Sequence, residues 1–584
     1  MKNIFMPLLF GVTVSACKVE QKQPNILLII TDDQGWGDVG VHGNPLINTP
    51  TIDKLYGQSA VLNHFYATPL SSTTRAGLLT GRYHLRTGVS TTSGGFENMN
   101  PDETTIAEVL KESGYQTGCF GKWHNGAYFP YTPNGQGFDE FTGFCCGLVL
   151  NYFNPLLQNN EVQVREKGYI TDIFADKAIR FIESNKDRPF FCYVPFNAPH
   201  SPYQVPDGYF DRYAGLSANN PRERDILASI YGMVENVDYN ISRILDKLEE
   251  LNLMENTIVV FMSDNGPTDV RRFNGNMRGM KTQVYEGGVR VPCYISWKGK
   301  IQHHIIDEPT ANIDIMPTLL SLCGITGYQT AFPIDGLDLK DLIEEKTDRL
   351  PDRMIFTHRL DRTLHPCIGS LRTRDYRLSV YRDSVHLFHI KNDPQENNNL
   401  YHHENHGAIA KELYEAYFAW YGEASKNVYL SPVIPVGYDE SRMVRIETTE
   451  GKLHGQVKYD GSRSANWVYQ FQTPDDYMTF DLDAVQSGNY EILIEYSQPD
   501  EGSPNVVAEC GSSVARSVLP QYIAEIVPSP NRVPFHLIEK VWGKQSIGVV
   551  PLQKGRHTLK IFVENASSKN IQIKTVIILK NFYG

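Results

Sequence analysis

Two apolar runs, far apart in the chain, each end in a short cluster of polar residues, and this pattern limits the folds available to the chain. The runs cover residues 25–30 and 257–262. Uninterrupted apolar runs of this length are typical of strands that are buried on both faces of a sheet. Because ligands bind at the carboxyl ends of such strands, the two polar clusters can converge into one site of hard oxygen ligands. The polar residues that follow the runs are Asp32, Asp33, Asp264 and Asn265.

Between these runs, the pattern alternates between strand and helix. A third apolar run covers residues 190–194, and residues 223–251 carry apolar side chains at helical spacing along one stripe. This alternation predicts an α/β domain over residues 24–351, with helices on both faces of its sheet.

The rest of the chain predicts two further units. Residues 352–429 combine short strands with a helix near 406–421, which predicts a small α+β subdomain on the same core. A stretch rich in Pro and Gly at 430–437 marks a boundary. Residues 438–584 contain short strands separated by turns, which predicts an all-β sandwich. This last unit loosely resembles the jelly-roll carbohydrate-binding modules of polysaccharide-active enzymes.

The N-terminal residues predict an export signal. Lys2 precedes an apolar run from Ile4 to Val14, which is too short to cross a bilayer as a helix. The sequence Val14-Ser15-Ala16-Cys17 resembles the lipobox of bacterial lipoproteins, in which the cysteine is lipidated. Residues 1–17 would then be a lipoprotein signal peptide, and the protein would be lipid-anchored in the cell envelope, in the periplasm or at the outer membrane. The alternative is a cleaved signal peptide without lipid.

Composition argues against several other classes of protein. The chain has 584 residues and a formal net charge of -12, with no basic tract, so a nucleic-acid partner is not predicted. Its 9 cysteines include no Cys-x-x-Cys pair, so neither a structural zinc site nor a disulfide framework is predicted.

A further polar stretch carries the strongest chemical signal. Ser71 stands four positions before Arg75, at the start of a predicted helix that closes with Thr80-Gly81-Arg82. A helix N-terminus offers free N–H groups and the positive end of the helix dipole, so a nucleophile there could act on sulfate or phosphate. A plain Ser/Thr-rich helix cap explains this stretch, taken alone, equally well.

The stretch resembles the signature of the type I sulfatases, Cys/Ser-x-Pro/Ala-x-Arg-x-x-x-Leu-Thr-Gly-Arg, whose first residue is oxidised to formylglycine. Thr73 departs from this signature, because proline or alanine is usual there. Other motifs of the family follow in the family's order. These are Gly121-Lys122-Trp123-His124, Asn197-Ala198-Pro199-His200, Gly279-Met280-Lys281 and the hairpin motif Asp393-Pro394-Gln395-Glu396.

The resemblance implies the fold of the alkaline phosphatase superfamily, a mixed sheet between helices, and hydrolysis of a sulfate ester with one Ca²⁺. The implied metal ligands are Asp32, Asp33, Ser71, Asp264 and Asn265. The implied catalytic residues are Ser71, Arg75, Lys122, His124, His200 and Lys281. One hydroxyl of the hydrated aldehyde would attack sulfur, and the second would then drive the collapse that expels sulfate.

The resemblance also implies a role for each catalytic residue. Arg75 and Lys122 would neutralise the diol oxygen, and His124 would be the base for collapse. His200 and Lys281 would bind sulfate and supply a proton or positive charge to the leaving oxygen, and the division between these two stays open.

The implied partners are a sulfated carbohydrate substrate and an anaerobic radical maturase, since a serine rather than a cysteine is to be oxidised. Two alternatives belong to other classes. One is a phosphomonoesterase or phosphodiesterase of the same superfamily, with an unmodified nucleophile and two zinc ions; the other is a non-catalytic glycan-binding lipoprotein. Residues near the site that could contact the sugar are Asp269, Arg271, Arg272, Asn276 and His358.

Overall fold

The protein is described by a computed structural model that covers most of the chain. The described residues are 22–269, 271–360, 368–428, 432–460, 466–530, 532–533, 535, 537–565 and 570–581. The predicted signal peptide and Cys17 lie outside these ranges, so both stay predictions. Within them, no helix is both long enough and apolar enough to span a bilayer.

A mixed sheet of ten described strands forms the centre of the first unit. Its strands, in spatial order, are His304–Ile306, Ala60–Leu62, Cys293–Trp297, Thr257–Ser263, Asn25–Thr31, Phe190–Pro195, Gln116–Lys122, Glu140–Phe144, Leu156–Asn159 and Val162–Arg165. The α-helices over this part of the chain are Pro50–Tyr56, Ser71–Thr80, Ile106–Glu112, Ile170–Ser184, Asp207–Tyr213, Pro221–Glu250, Glu286–Val289, Ile315–Leu322 and Lys340–Ile343. Two large clusters of buried apolar side chains, one on each face of the sheet, confirm the α/β prediction.

The two apolar runs are neighbouring parallel strands. Every residue of Asn25–Thr31 and of Thr257–Ser263 is buried, and Thr31 lies opposite Ser263. Phe190–Pro195 is parallel to Asn25–Thr31 on its other side. The loops after these three strands therefore leave the sheet at the same edge.

The predicted long helix spans Pro221–Glu250. It begins at Asn220, whose side-chain oxygen accepts a hydrogen bond from the Glu223 N–H at 3.0 Å, and Pro221 occupies the first helical position. Its apolar stripe packs on one face of the sheet.

A four-stranded antiparallel sheet with one α-helix follows, which matches the predicted α+β pattern. The elements are Ile355–His358, Ile368–Arg372, Tyr376–Tyr381, Ser384–His389 and the helix Gly407–Ala424. Short 3₁₀ helices connect elements elsewhere. They are Gly40–His42, Pro133–Gln136, Met254–Asn256, Asn312–Asp314, Glu404–His406, Ser425–Asn427 and Thr448–Glu450.

The C-terminal part forms two packed β-sheets, as the turn-rich pattern predicted. One sheet contains Ile434–Val436, Tyr477–Ala484, Gly555–Glu564, Asn505–Cys510, Ser513–Val518 and Lys452–Leu453. The other contains Lys458–Tyr459, Val468–Tyr469, Gln572–Lys580, Gly488–Ser497, Gly543–Leu552 and Met443–Glu447. Two small two-stranded ribbons complete the described strands; one pairs Phe65–Tyr66 with Thr310–Ala311, and the other pairs Glu525–Ile526 with Lys540–Val541. Burial alternates along Tyr477–Ala484, which is the signature of a strand with one face in the core.

The sandwich packs directly on the α/β unit. Tyr128 is 3 % exposed and belongs to the apolar core of the sandwich. Its hydroxyl donates to Glu450 Oε2 at 2.9 Å and accepts from Asn98 Nδ2 at 2.9 Å. The two units are therefore joined by a buried contact rather than by a linker alone.

Removal of the sandwich is expected to destabilise the α/β unit. A chain that ends at Gly437 leaves the Tyr128 ring exposed, and loss of burial of an aromatic side chain costs about 3 kcal/mol or more. The free energy of unfolding, measured in urea, should fall by at least that amount. In the full chain, Tyr128→Phe keeps the ring buried and should cost about 1 kcal/mol. An equally stable truncated chain would contradict this account of the contact.

Two carboxyl groups at this contact make its stability depend on pH. Burial raises the pKa of Glu97 to about 7, from an ordinary value of 4.5. Burial, together with the charge of Glu97, raises the pKa of Glu450 well above 4.5. A carboxyl whose pKa is higher in the folded state binds more protons there, so the folded state loses stability as pH rises.

The contribution of Glu97 to the free energy of unfolding is therefore expected to fall between about pH 4.5 and pH 7 and to stay lower above that window. Glu97→Gln removes this titration, so the free energy of unfolding of the variant should fall by about 3 kcal/mol less across that window than that of the wild type. Asp102→Asn, which changes an exposed carboxylate nearby, serves as the control. If the free energy of unfolding depends on pH in the same way in the wild type and in Glu97→Gln, Glu97 does not titrate in this way.

Candidate active site

The structure brings the two polar clusters together at one edge of the sheet. The Asp33 N–H donates to Asp264 Oδ1 at 3.1 Å, and Asn265 Nδ2 donates to Asp33 Oδ1 at 2.8 Å. Asp32 lies beside them, and all four side chains are buried. The parallel register of the two strands explains this meeting, because Thr31 and Ser263 are paired immediately before the clusters begin.

Ser71 is the first residue of the helix Ser71–Thr80 and points into this site. Its Oγ donates to Asp32 Oδ1 at 2.9 Å and lies 3.4 Å from Asn265 Oδ1. The N-cap of the helix is Leu70, and no side chain caps it. Since the Ser71 hydroxyl bonds the acidic cluster instead of the helix N–H groups, the helix-cap interpretation of this serine is wrong.

Thr73, the departure from the family signature, is accommodated locally. Its hydroxyl donates to the Leu70 carbonyl at 2.8 Å and also contacts the Thr68 hydroxyl. The neighbouring Thr74 donates to the Asp264 carbonyl at 2.6 Å. The Thr73 side chain is thus satisfied within the turn that precedes the helix, and it does not displace Ser71.

Two buried cations are paired with the acidic cluster. Lys122 Nζ lies 2.7 Å from Asp32 Oδ2. Arg75 links Lys122 to Asp264, because its guanidinium group donates to the Lys122 carbonyl at 2.7 Å and to Asp264 Oδ2 at 3.0 Å. Burial alone would raise the pKa of Asp32, but the charges of Lys122, His200 and Arg75 together outweigh burial, and the pKa falls to about 2. Asp32 is therefore ionised at neutral pH.

Lys281 and His200 occupy the open side of the site. Lys281 Nζ lies 2.6 Å from Asp33 Oδ1, and His200 Nε2 lies 3.7 Å from Asp33 Oδ2. Their side chains are 15 % and 16 % exposed, whereas Asp33 is buried. A reacting group that enters from solvent meets these two side chains first.

His200 is held by contacts with neighbouring loops. Its Nδ1 lies 2.7 Å from the Ser201 carbonyl, which can only accept, so Nδ1 carries a hydrogen and Nε2 faces the site. The Tyr152 hydroxyl donates to the His200 carbonyl at 2.9 Å, and the Tyr152 N–H donates to Gln204 Oε1 at 2.6 Å. Sequence reasoning missed Tyr152 and Gln204, because a lone Tyr or Gln in a loop carries no local pattern.

His124 is suited to accept a proton. Its Nε2 lies 2.9 Å from the Thr92 carbonyl, to which it donates, and its Nδ1 is buried without a hydrogen-bond partner in the described structure. Burial and the charge of Lys122 hold the pKa of His124 well below its ordinary value of 6.5. The next residue, Asn125, donates to the Ser72 carbonyl at 2.9 Å and so links this segment to the helix of Ser71.

The donor set fits a hard divalent cation. Ligand atoms of Asp32, Asp33 and His200 lie within 4.8 Å of one another, and this is the one such cluster in the parts of the chain that are described. Asp33 Oδ2 is buried and accepts no hydrogen bond from those parts. Burial and the charge of Asp32 raise the pKa of Asp264, a cost that a bound cation would relieve. Carboxylate and amide oxygens are hard-metal ligands.

Two of the residues named as sugar contacts do not face solvent, and that prediction is wrong for them. Arg272 is buried, pairs with Asp38 and donates to the Asp33 carbonyl at 3.0 Å, so it supports the metal-site loop. His358 is buried, and its Nδ1 lies 2.6 Å from the Tyr417 hydroxyl. The other three residues are at least partly exposed; they are Asp269, Arg271 and Asn276.

Comparison with known proteins agrees with this site. The family described as Sulfatase matches residues 24–325, and the family described as N-sulphoglucosamine sulphohydrolase, C-terminal, matches residues 280–419. N-acetylgalactosamine-6-sulfatase of Canis lupus familiaris is 32 % identical over 386 residues, which are 60 % of this chain and 71 % of that protein. Steryl-sulfatase of Homo sapiens is 30 % identical over 437 residues, which are 57 % of this chain and 72 % of that protein.

A solved structure shows the same architecture. The crystal structure of Ps i-CgsB in complex with k-i-k-neocarrahexaose has a TM-score of 0.63 and 28 % sequence identity, and the match covers 70 % of this chain and 94 % of that one. The phosphatase and non-catalytic alternatives lose their basis, because the family model and the relatives are sulfatases. The chain therefore belongs to the sulfatase family and is a sulfuric ester hydrolase.

Proposed function

We propose that this sulfatase removes sulfate from a sulfated carbohydrate, with a formylglycine formed from Ser71 and one bound Ca²⁺. The observation that carries the proposal is the position of Ser71 Oγ, 2.9 Å from Asp32 Oδ1, among the acidic cluster and its paired cations. The proposed metal ligands are Asp32, Asp33, Ser71, Asp264 and Asn265.

The charge of the site favours an anionic substrate. Three carboxylates are balanced by three cations in direct contact with them. When Ca²⁺ is bound, it supplies two further positive charges beside the sulfate oxygens and the nucleophile. A site with that excess charge binds a sulfate monoester, which carries one negative charge, and stabilises the charge that develops in the transition state.

The chemistry explains why an unmodified serine is not sufficient. Attack by a serine hydroxyl would leave an ordinary alkyl sulfate, which hydrolyses slowly. Oxidation of Ser71 removes two hydrogens and gives an aldehyde, whose hydrate has a second hydroxyl for release of sulfate. His124, whose buried Nδ1 has no hydrogen-bond partner among the described residues, would accept the proton of that hydroxyl. An anaerobic radical maturase remains the proposed oxidising partner.

His200 and Lys281 are the proposed groups for the leaving alcohol. Both reach the open side of the site, where the bond between sulfur and the alcohol oxygen breaks as the nucleophile bonds to sulfur. Nε2 of a protonated His200, or the Lys281 ammonium, would donate to the departing oxygen. Arg75 and Lys122 lie on the opposite, buried side and would stabilise the nucleophile.

A carbohydrate substrate is supported by the relatives. One is named for a sulfated amino sugar, and one structure contains a neocarrahexaose. The predicted lipid anchor at Cys17 and a location in the cell envelope are consistent with a glycan substrate.

The test is release of sulfate from defined sulfated saccharides by the purified, matured protein, measured by ion chromatography. We expect release from at least one saccharide, and release of phosphate from a matched phosphate ester at least about 100-fold slower. Turnover of small aryl sulfates without turnover of any sulfated saccharide would contradict the carbohydrate proposal.

A further inference from the structure

We infer that Glu396, in the hairpin motif that follows the small antiparallel sheet, is a positioning residue for Lys281. The inference rests on the proposed function, in which Lys281 stabilises the leaving oxygen. The two residues are far apart in sequence, and Glu396 acts through the loop of residues 278–286, which carries Lys281.

Glu396 binds both ends of this loop. Its Oε2 accepts a hydrogen bond from the Glu286 N–H at 2.8 Å, at the end of the loop. Its backbone carbonyl accepts from Arg278 Nη1 at 3.0 Å, at the start of the loop. Arg278 also stacks on the Tyr285 ring at 4.3 Å. One residue therefore fixes the distance between the two ends of the loop.

The middle of the loop is attached to both halves of the active site. The Lys281 N–H donates to the Pro267 carbonyl at 2.8 Å, just beyond the metal-ligand cluster. The Thr282 N–H donates to the Pro69 carbonyl at 2.9 Å, just before Ser71. A loop attached at these points transmits a shift of its ends to Lys281 Nζ, which lies 2.6 Å from Asp33 Oδ1.

The carboxyl group of Glu396 lies in a buried polar network. Glu396 is completely buried, and its Oε1 lies 3.4 Å from Nε of the buried Arg377. Arg377 Nη2 also donates to Glu286 Oε1 at 2.6 Å, and the Tyr66 hydroxyl donates to the same oxygen at 2.9 Å. This network connects the hairpin to the strand that precedes the helix of Ser71.

The backbone of Glu396 is in an unfavourable conformation. Its φ is +56°, in the left-handed region, which is unfavourable for a residue with a side chain. Asp393 maintains the turn, because its carboxylate accepts from the N–H groups of Asn397 at 3.0 Å and Asn398 at 2.7 Å. A strained conformation that the surroundings enforce is frequent where a side chain must be aimed.

The experiment compares Glu396→Ala, Glu396→Gln and Lys281→Ala on aryl sulfates whose phenols differ in pKa. If Lys281 stabilises the leaving oxygen, its loss slows esters of poor leaving groups most. We expect Glu396→Ala to lower kcat about tenfold on an aryl sulfate with a poor leaving group and to change KM little. The dependence of kcat on the pKa of the leaving phenol should become steeper, as it does in Lys281→Ala. Glu396→Gln keeps an acceptor for the Glu286 N–H, so its kcat should fall less than that of Glu396→Ala.

Asn399→Ala is the matched control, since Asn399 Oδ1 accepts from the N–H groups of Leu387 at 2.9 Å and Tyr401 at 3.0 Å, in the same hairpin but away from Glu396 and the loop of Lys281. It should lower the melting temperature and leave kcat within about twofold. The Glu396→Gln variant keeps the volume of the side chain, so it supplies the comparison when Glu396→Ala does not fold.

A double-mutant cycle separates positioning from general stability. In the Lys281→Ala background, Glu396→Ala should reduce kcat by less than about twofold, because the group that it positions is absent. An equal reduction in both backgrounds, or a lower melting temperature with unchanged kcat, would overturn the inference. If Lys281→Ala alone leaves kcat unchanged, the role of Lys281 in the proposed function is wrong. A lower kcat in Glu396→Ala would then show that Glu396 does not act through Lys281.

Discussion

Replacement of Ser71 by alanine is expected to lower kcat for sulfate release by about 10⁴-fold or more, because it removes the atom that bonds to sulfur. Ser71 Oγ donates a hydrogen bond to a carboxylate of the acidic cluster, Asp32 Oδ1, at 2.9 Å. The helix that carries it is buried throughout and has no side-chain cap to lose, so the fold should survive the change. Sulfate release and thermal melting are measured on the same preparation.

Ser72→Ala is the control for this experiment. Ser72 is buried in the same helix turn, but its Oγ donates to the Thr91 carbonyl at 2.9 Å, away from the acidic cluster. Its activity should stay within a few-fold of the wild type. A Ser71→Ala protein that keeps more than a few per cent of wild-type activity would exclude Ser71 as the nucleophile.

Replacement of Asp264 by asparagine is expected to remove both metal and activity. The change keeps the volume of the side chain but deletes a charge that contacts Arg75 at 3.0 Å. With one carboxylate fewer, a hard divalent cation loses a charged ligand, and Arg75 becomes a buried cation without its partner. We expect less than one tenth of the wild-type Ca²⁺ by elemental analysis, and kcat at least about 10³-fold lower.

Asp314→Asn is the matched control for Asp264→Asn. Asp314 is also buried, and it pairs with Arg353 at 2.7 Å in a part of the chain that contributes nothing to the acidic cluster. Both variants should lose stability, but Asp314→Asn should keep its calcium. Full calcium content in Asp264→Asn, or two zinc ions per chain in the wild type, would contradict the metal proposal.

The sequence predicted those features that local patterns determine. Asn25–Thr31 and Thr257–Ser263 are continuous apolar runs, and the polar residues after them can be assigned to a sheet edge without coordinates. The start of the helix Pro221–Glu250 was predicted within two residues, because apolar side chains recur at helical spacing along one stripe.

Features that depend on contacts between distant segments could not be predicted. Arg272 and His358 were candidates for binding sugar, but folding buries one against Asp38 and the other against Tyr417. A charged or aromatic residue has the same local sequence signal whether it faces solvent or a buried partner. The partners of Glu396 were hidden for the same reason.

The unit boundary illustrates the same limit. Residues 430–437 have the composition of a linker, and that composition does not reveal how closely the flanking units pack. Tyr128 lies some 300 residues before the sandwich, yet its ring is part of the sandwich core. Burial across such a separation is a property of the folded chain.

The central claim is that Ser71 acts as an aldehyde, and mass spectrometry of the peptide spanning Ser71 tests it most directly. The protein is purified from its native host, its specific activity is measured, and the same sample is digested. The account predicts a peptide two hydrogens lighter than the sequence requires, in a fraction that rises in proportion to the activity. A fully active preparation that contains only unmodified Ser71 would contradict it.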